Sequence, residues 1–514
     1  MSKTIIIIGA GLAGLSAALQ AAENGCNVKL VSSFPSERAQ SVMAEGGINA
    51  ALNTKDENDS PEEHFTDTIK AACGLADPNA VWGMTQAAPE LVHWLLKLGV
   101  QFNMSGYDDV DLRNFGGQKK KRTAFAQSDT GKQIMTAMID AVRKKEASGM
   151  VERFSHHSFL TLRLCDNICC GCVIRDEYSQ ETVELPGDAV IVATGGMHGL
   201  FGNTTGSLSN TGKVTAELFR LGVPLANGEM IQYHPTTVKC GGKRMLISEA
   251  ARGEGGRLFA MKDGKQWYFM EEKYPELGNL MPRDITAREI WKVSHESEVF
   301  LDMTEISDEI ISNKLSGLAD DCMTYLHKDI RKEPVSVLPG IHYFMGGILV
   351  DEQHRTPIQN LYAAGECCAQ YHGANRLGGN SLLGALYGGR VAAKSACEQA
   401  DVVDLSCATQ IDFPPASQIS EIKQLNKVMQ ETMGVVRNEN MLLNGIQTVQ
   451  ALTGNLPLLG MAVLKSALAR KESRGAHWRE DYPKSNDDDY LKTTVARFDG
   501  KQIQISFVPV PERR

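Results

Sequence analysis

The sequence predicts an α/β protein built around a two-piece Rossmann-like domain that binds a dinucleotide. An α+β capping domain is inserted between the two pieces, and a helical domain follows near the C-terminus. Three observations predict this organisation. The chain opens with an apolar strand and a glycine-rich turn, two further strand–glycine units occur far along the chain, and the last quarter carries apolar residues at helical spacing.

The first turn is the strongest local signal. Thr4 to Ile8 form a continuous apolar run, typical of a strand that is buried on both faces. Gly9, Gly11 and Gly14 follow in a G-x-G-x-x-G pattern that opens an Ala-rich helix. The first glycine allows the tight turn, the second lets a pyrophosphate approach the backbone, and the third lets helix and strand pack closely. The helix N-terminus then offers unpaired N–H groups to the phosphates.

The second strand lacks the acidic residue that marks many NAD sites about 20 positions after the glycine turn. Asn27 to Val31 lead into Ser32 and Ser33 instead. A hydroxyl group can still hydrogen-bond a ribose, so we expect Ser32 to contact the dinucleotide. The usual basis for choosing NAD over NADP is absent.

Two later units indicate how the dinucleotide domain is divided. Residues 188–196 and 360–366 are apolar stretches that run into glycine, and the segment between them is rich in His, Arg, Glu and Gly. The predicted segments are the first part of the dinucleotide domain at 1–231, the capping domain at 232–345, the second part of the dinucleotide domain at 346–405, the helical domain at 406–480 and a C-terminal segment at 481–514.

Composition excludes several classes of partner. The net charge of −9 predicts no surface for nucleic acid, and no apolar run approaches the length needed to span a bilayer. The first strand leaves no room for a signal peptide, so we expect a cytoplasmic protein that meets membranes only through partner subunits. Four cysteines between 165 and 172 lie in an alternating stretch typical of a hairpin, so we expect buried thiols and no metal site.

The inserted segment and its flank concentrate side chains that could bind a small dianion. Any one of them is better explained as a salt bridge or a satisfied core histidine, but together they offer arginine forks for carboxylates and imidazole donors. Pro282 is expected at the first position of a helix. The candidates are His234, Glu249, Arg252, Arg283, His342 and Arg376.

These motifs, in this order, resemble the flavoprotein subunit of the succinate dehydrogenase and fumarate reductase family, which also includes L-aspartate oxidase. The resemblance runs from the first strand to residues 473–481. It implies that the dinucleotide is FAD and that the capping domain closes over fumarate or succinate. It also implies a mechanism in which hydride passes from the flavin N5 to fumarate while Arg283 protonates the other alkene carbon.

The resemblance assigns the remaining roles residue by residue. His234, Ser248, His342 and Arg376 match the residues that bind the dicarboxylate, and Glu249 and Arg252 match a proton relay from solvent to Arg283. The expected FAD contacts lie in turns and strand ends and are Gly9, Gly11, Gly14, Ser32, Gln40, Ser41, Glu45, Gly46, Gly47, Ala193, Thr194, Gly195, Glu366, Asn380, Ser381 and Leu382.

The chain departs from the family pattern at two cofactor positions. Gln40 stands where the membrane-bound respiratory members carry the histidine that links FAD covalently. We therefore expect noncovalent FAD, with a lower potential that favours fumarate reduction. Lys213 replaces an acidic residue near the flavin, and nothing in the sequence indicates what compensates for it. The chain is also shorter than the respiratory members, so an iron–sulfur subunit remains an open partner, and no motif identifies the electron donor.

Two alternative functions are open. In L-aspartate oxidase a glutamate that meets the substrate ammonium takes the place of Phe115, and a phenylalanine offers no such charge. Phe115 therefore favours a dicarboxylate without an amino group. A non-catalytic electron-transfer or assembly flavoprotein is disfavoured because His234, Arg283, His342 and Arg376 are all present.

Overall fold

The computed structural model describes residues 2–106, 109–401, 411, 413 and 418–514. The predicted boundary at 405/406 lies outside these residues. The strands are β1 (Thr4–Ile8), β2 (Asn27–Ser32), β3 (Ile48–Asn49), β4 (Leu112–Arg113), β5 (Thr123–Ala124), β6 (Val151–Ser155), β7 (His157–Cys165), β8 (Ile168–Asp176), β9 (Thr182–Pro186), β10 (Ala189–Val192), β11 (Leu225–Ala226), β12 (Ile231–Cys240), β13 (Lys243–Leu246), β14 (Arg257–Lys262), β15 (Lys265–Trp267), β16 (Val299–Asp302), β17 (Val335–Ser336), β18 (Leu338–Phe344), β19 (Gly347–Leu349), β20 (Leu361–Ala363), β21 (Cys368–Ala369), β22 (Lys492–Phe498) and β23 (Ile503–Pro509). The α-helices are α1 (Leu12–Glu23), α2 (Pro61–Ala71), α3 (Pro78–Lys97), α4 (Thr130–Ala147), α5 (Lys213–Arg220), α6 (Glu249–Gly253), α7 (Phe269–Lys273), α8 (Arg283–Val293), α9 (Asp308–Lys314), α10 (Ser316–Asp321), α11 (Asn380–Gln399), α12 (Ile419–Thr432), α13 (Glu439–Val449), α14 (Asn455–Ala469) and α15 (Asp487–Tyr490).

A parallel sheet joins chain segments from both sides of the insertion. Its strand order is β20-β10-β1-β2-β6. Residues 5–7 of β1 are fully buried because both faces of the sheet are covered. Ile7 pairs with Ile191 on one side and with Leu30 on the other. Strand β20 follows the insertion in sequence, yet it pairs with β10, which precedes the insertion. The sheet therefore contains strands from both pieces of the predicted two-piece domain.

The two helices that begin at the carboxyl edge of this sheet pack against each other. The Ser16 hydroxyl in α1 donates a hydrogen bond to the carbonyl of Leu386 in α11 at 2.7 Å. A Cβ atom at Gly389 would lie 2.3 Å from the carbonyl oxygen of Ala13, so the close approach requires glycine there. The start of α1 therefore packs against the middle of α11, and the first turns of both helices, through Leu12 and Ser381, line one cavity that a dinucleotide could occupy.

The inserted segment contains two antiparallel sheets, β13-β12-β18 and β15-β14-β16-β17, with α6 to α10 around them. Strand β12 pairs with β18, and the register shifts between His234 and Thr237. Pro235 lies in this irregularity, as expected for a residue without an amide hydrogen. The predicted position of Pro282 was wrong by one residue: it is the N-cap, and α8 begins at Arg283.

Helices α12 to α14 form the described part of the C-terminal helical region, and a network of buried charges joins this region to the rest of the chain. Arg470 donates hydrogen bonds to Glu229 and to Glu472, each at 2.7 Å, and all three side chains are fully buried. Arg479 forms a bidentate salt bridge with Asp481. The buried guanidinium groups of Arg470 and Arg479 thus each have a carboxylate partner, without which their burial would be strongly destabilising.

The predicted cysteine hairpin is formed by β7 and β8, and Cys169, Cys170 and Cys172 are buried in β8. Within the described ranges, no group of His, Cys, Asp and Glu side chains is arranged to hold a metal ion. No helix in the same ranges has both the length and the apolar character needed to cross a membrane.

Candidate active site

A cavity of about 480 Å³ lies between the carboxyl edge of the parallel sheet and the inserted segment. The expected dinucleotide contacts line one part of it, and the expected dicarboxylate contacts line the other. The predicted residues that line it are Gly9, Gly11, Ser32, Gln40, Ser41, Glu45, Gly46, Gly47, Phe115, Ala193, Thr194, Gly195, His234, Ser248, Glu249, Arg283, His342, Glu366, Arg376, Ser381 and Leu382.

The first glycine turn forms a cradle that a dinucleotide can occupy. Gly9 has φ +111°, and a Cβ atom there would lie 2.2 Å from the carbonyl oxygen of Ala193. A Cβ at Gly14 would lie 1.8 Å from the carbonyl oxygen of Gly9, which explains the close packing of helix on strand. At Gly11 the nearest atom to a Cβ is the Ser41 hydroxyl at 3.6 Å, so this face of the turn is open towards the cavity. The arrangement fits a pyrophosphate above the N-terminus of α1.

Ser32 supports the same assignment. It ends β2, its side chain is buried, and its hydroxyl finds no hydrogen-bond partner within the described residues. A buried hydroxyl without a partner is costly unless a ligand satisfies it. Its place at the carboxyl end of the second strand is where a ribose lies in this type of domain.

Glu45 contributes an unusual carboxyl group to the wall of the cavity. Burial, reinforced by the negative charge of Asp321, raises the pKa of Glu45 to about 8. The Ser248 hydroxyl hydrogen-bonds to this carboxyl group and opposes the shift. Glu45 is therefore largely a neutral acid at pH 7.

Arg283 and Glu249 form the central pair of the substrate-facing part. The Nε and Nη2 groups of Arg283 both donate to Glu249 Oε2, at 2.8 and 2.5 Å. Glu249 lies at the start of α6 and Arg283 at the start of α8, so the two short helices direct these side chains towards each other. The third guanidinium nitrogen, Nη1, donates to Gln232 Oε1 at 3.1 Å.

The predicted relay continues from Glu249 to Arg252. Glu249 Oε1 accepts hydrogen bonds from Arg252 Nη2 at 3.3 Å and from the amide of Gly116 at 3.1 Å. Burial alone would raise the pKa of Glu249, but the guanidinium groups of Arg283 and Arg252 hold it below its ordinary value. The carboxylate is thus kept ionised in a buried position, beside the guanidinium that faces the cavity.

Two histidines lie in contact with each other in the wall of the cavity. The rings of His234 and His342 are edge to face, with centroids 5.1 Å apart. Burial and the nearby positive charge of Arg283 lower the pKa of both imidazoles well below its ordinary value. Both rings are therefore neutral at physiological pH, and each carries one N–H donor.

Arg376 is held in place by an aromatic ring. Its guanidinium lies 4.4 Å from the centroid of the Tyr343 ring, and its buried Nε has no hydrogen-bond partner within the described residues. Burial and the like charge of Arg283 lower the pKa of Arg376 to about 9. A carboxylate in the cavity would satisfy this group and restore its pKa.

Gln232 belongs to the site through its hydrogen bonds to Arg283 and Arg376, although the sequence did not identify it. Its Oε1 accepts from Arg283, and its Nε2 donates to the carbonyl of Arg376 at 2.8 Å and to Asn375 at 2.9 Å. It therefore couples the two arginines. The available signal was its position two residues before His234 in a strand, since alternate residues share one face.

Three predicted residues lie behind the cavity wall. Gly14 packs helix against strand, Arg252 lies beyond Glu249, and Asn380 bonds other side chains. The Asn380 Oδ1 accepts a hydrogen bond from Asn49 at 2.7 Å and lies 2.9 Å from His64 Nε2. Asn380 thus supports the turn that presents Ser381 and Leu382, and its side chain does not reach the cavity.

The residues that depart from the family pattern also line the cavity. The side-chain oxygen of Gln40, Oε1, accepts a hydrogen bond from the backbone amide of Ser207 at 2.5 Å. Phe115 is almost fully buried, and its ring lies against Gly46 and Gly378. Lys213 lies at the first position of α5, on the cavity margin.

Comparisons with known proteins agree with this geometry. Residues 4–382 match the family model for an FAD binding domain, and residues 452–513 match the model for the fumarate reductase flavoprotein C-terminus. The chain is 38% identical to the succinate dehydrogenase flavoprotein subunit of Bacillus subtilis, over 100% of this chain and 98% of that protein. It is 33% identical to the L-aspartate oxidase of Pyrococcus furiosus, over 94% of this chain and 97% of that protein. The structure resembles a variant of Escherichia coli quinol fumarate reductase FrdA with a TM-score of 0.89 and 27% identity, covering 99% of this chain and 97% of that one.

The fold and the cavity define an FAD-dependent oxidoreductase, and the predicted α/β fold class is confirmed. The chain belongs to the family of succinate dehydrogenase and fumarate reductase flavoproteins, which has L-aspartate oxidase among its relatives.

Proposed function

We propose that this protein interconverts fumarate and succinate, with reduction of fumarate as the favoured direction. The observation that carries the proposal is the arrangement of Arg283 between Glu249 and the cavity, with His234, His342 and Arg376 around the same space. This set offers two arginines and two neutral imidazole donors to a ligand with two carboxylates.

The residues divide between binding and proton transfer. His234, His342, Arg376 and the Ser248 hydroxyl bind the carboxylates, and Arg376 gains the hydrogen-bond partner that its buried Nε lacks. Fixed donors of this kind orient the alkene and stabilise the negative charge that develops on it. Bound FAD supplies hydride to one alkene carbon.

Arg283 supplies the proton. Its guanidinium delivers a proton to the second alkene carbon and is left neutral. The Glu249 carboxylate, which contacts Nε and Nη2 of Arg283, then accepts a proton from Arg252 and passes it to Arg283. Arg252 connects Glu249 to the outside of the cavity wall. An arginine is a very weak acid, so its action as a donor requires a strongly basic carbon, which hydride arrival creates.

A substrate with an ammonium group is disfavoured. Both oxygens of Glu249 are engaged by arginines and by the Gly116 amide, and Phe115 presents only an aromatic ring. A buried ammonium without a carboxylate partner would be costly. This supports a dicarboxylate over L-aspartate.

The cofactor and partners follow from the same residues. Gln40 is an amide engaged with Ser207, and an amide is too weak a nucleophile to form the family's bond to FAD, so we propose noncovalent FAD. Relatives are named as flavoprotein subunits, which supports an electron-transfer partner such as an iron–sulfur subunit.

The proposal is tested with the purified holoprotein under anaerobic conditions. Fumarate should reoxidise the dithionite-reduced flavin and yield one succinate per flavin, whereas crotonate, which has a single carboxylate, should not. If fumarate leaves the reduced flavin unchanged, and neither succinate nor fumarate perturbs its spectrum, the proposed function is wrong.

A further inference from the structure

His342 can serve as a donor to a carboxylate only if one particular ring nitrogen carries its proton. The pKa of His342 lies well below its ordinary value because of burial and the nearby Arg283, so the ring is neutral and has a single N–H. Its Nδ1 is engaged with Thr205, while Nε2 makes no hydrogen bond within the described part of the chain. The proton must therefore reside on Nε2 if His342 is to bind a carboxylate.

We propose that Thr205 is a positioning residue that keeps this proton on Nε2. In this assignment, which rests on the proposed function, the Thr205 hydroxyl donates to His342 Nδ1 and so reserves Nε2–H for the substrate. Thr205 lines the cavity, but within the described residues its hydroxyl contacts only His342 and the Ile341 carbonyl, so in this assignment it acts through the imidazole.

The hydroxyl geometry supports this direction of donation. Thr205 Oγ1 lies 2.8 Å from His342 Nδ1 and 3.3 Å from the carbonyl oxygen of Ile341. A hydroxyl has one proton, and the shorter contact is the stronger bond. If the proton went to Ile341 instead, Nδ1 would have to donate to Thr205, and Nε2 would present a lone pair to an anionic carboxylate.

The backbone around Thr205 fixes the hydroxyl in this place. The amide of Thr205 donates to the Ile341 carbonyl at 3.0 Å, which ties the loop to β18. The carbonyl of Thr204 accepts from the amide of Arg244 in β13 at 3.1 Å. Two residues further on, the Ser207 amide bonds to the Gln40 side chain at 2.5 Å. Three separate parts of the structure therefore hold the loop that carries Thr205.

The second histidine has only a long hydroxyl contact: Thr236 Oγ1 lies 3.4 Å from His234 Nδ1 and donates to the Ile247 carbonyl oxygen at 2.9 Å. His234 Nδ1 lies 3.1 Å from the carbonyl oxygen of Thr236 and 3.3 Å from the amide nitrogen of the same residue. One of these groups accepts and the other donates, so either protonation of the ring finds a partner. The His234 ring can therefore carry its proton on either nitrogen, whereas Thr205 keeps the proton of His342 on Nε2, where it can be donated to a ligand.

The test compares Thr205→Val with Thr205→Ser in the FAD-loaded protein. Valine preserves the shape but leaves Nδ1 as a buried acceptor without a partner, which typically costs enough to change an equilibrium by about tenfold or more. We expect the dissociation constants of succinate and fumarate, measured by flavin absorbance, to rise about tenfold in Thr205→Val and to return to within about threefold of wild type in Thr205→Ser. Flavin content should not change. Thr204→Val is the control for losing a buried hydroxyl from the same loop, since the Thr204 hydroxyl bonds to His198 and to the Gly206 amide and not to His342.

A spectroscopic readout separates the proposal from a structural effect. In ¹⁵N-labelled protein, His342, identified by its loss in His342→Asn, should show a protonated Nε2 and an unprotonated Nδ1, and Thr205→Val should shift this balance. Unchanged affinity in Thr205→Val, or a protonated Nδ1 in wild type, would overturn the proposal. If the wild type binds no dicarboxylate, the proposed function fails, and the ¹⁵N measurement still decides the tautomer.

Discussion

Arg283 and Glu249 are joined through one carboxylate oxygen. Two guanidinium nitrogens of Arg283 donate to Glu249 Oε2, while Oε1 is left for Arg252 and for a backbone amide. The two oxygens thus separate the inner arginine, which faces the cavity, from the outer one behind its wall. A proton that moves along this chain must pass through the carboxylate, whose pKa is held below its ordinary value despite burial.

Replacing Arg283 should abolish fumarate reduction while FAD stays bound. Arg283→Ala removes the proposed donor, and loss of a positioned acid typically slows a reaction by about 10²- to 10⁴-fold. Arg283→Lys should rescue poorly, because an ammonium group cannot reproduce the planar contacts with Glu249 and Gln232. The measurement is anaerobic turnover with a reduced dye, together with flavin content.

The matched control is Arg288→Ala on the same helix. Arg288 lies 4.0 Å from the ring of Trp478, away from the cavity lining, so its loss should leave turnover near wild type. Turnover of Arg283→Ala comparable to that of Arg288→Ala would remove Arg283 from the mechanism.

Gln232 should matter for catalysis although no motif marks it. Gln232→Leu deletes the hydrogen bond to Arg283 and leaves the carbonyl of Arg376 without its donor. Losing a hydrogen bond to a charged group costs about 1.5–3 kcal/mol, which corresponds to roughly a 10- to 150-fold loss in kcat/KM. Gln232→Glu should be no better, since a carboxylate cannot donate to the Arg376 carbonyl. Steady-state kinetics on both variants checks this, and near-normal kcat/KM in Gln232→Leu would contradict it.

Glu45 should make the stability of the protein depend on pH. Its folded-state pKa of about 8 lies above the ordinary value of 4.5, so the native state retains a proton that the unfolded chain releases as pH rises. The stabilisation is therefore complete below pH 4.5 and is lost progressively up to pH 8, at no more than about 1.4 kcal/mol per pH unit. Glu45→Gln, which stays neutral, should become increasingly stable relative to wild type over this range.

Denaturant unfolding at several pH values measures the effect of Glu45→Gln. The exposed residue Glu23 provides a control, and Glu23→Gln should show no comparable trend. A constant difference between Glu45→Gln and wild type from pH 5 to pH 9 would show that Glu45 is not a neutral acid in the folded protein.

The sequence predicted those parts of the protein that are specified locally. The strand and glycine turn at residues 4–14 and the hairpin at the cysteine cluster both follow from short patterns. Their residues are neighbours in the chain, so spacing alone determines which side chains meet.

Contacts between distant segments could not be predicted in this way. Gln232 joins Arg283 and Arg376 because β12, α8 and the turn before α11 converge, and no local pattern encodes that convergence. The support of His342 by Thr205 depends in the same way on a loop more than a hundred residues away. Asn380 was expected to contact FAD through its motif, yet its side chain is directed to Asn49.

L-Aspartate should be neither a substrate nor a tight ligand. Phe115, which lines the cavity, offers no carboxylate to an ammonium group, and both oxygens of Glu249 are already engaged. Anaerobic titration of the oxidised flavin with L-aspartate should leave its absorbance unchanged, whereas succinate and fumarate on the same sample should perturb it. Bleaching of the flavin by L-aspartate would place the protein with the amino-acid oxidases.

Gln40 predicts that all the flavin leaves the protein on denaturation. The family's bond joins the flavin 8α carbon to an imidazole nitrogen, and the first histidine of this chain is His64, which is buried and hydrogen-bonded to Asn380. Acid or heat should therefore release the flavin into the supernatant and leave no fluorescence on the polypeptide in a denaturing gel. Denatured protein mixed with free FAD controls for carry-over.

A flavin without the covalent link should also have a lower potential, so fumarate reduction should be faster than succinate oxidation when dyes of matched driving force are used. Fluorescence on the polypeptide would show that another residue forms the bond, and faster succinate oxidation would contradict the proposed direction.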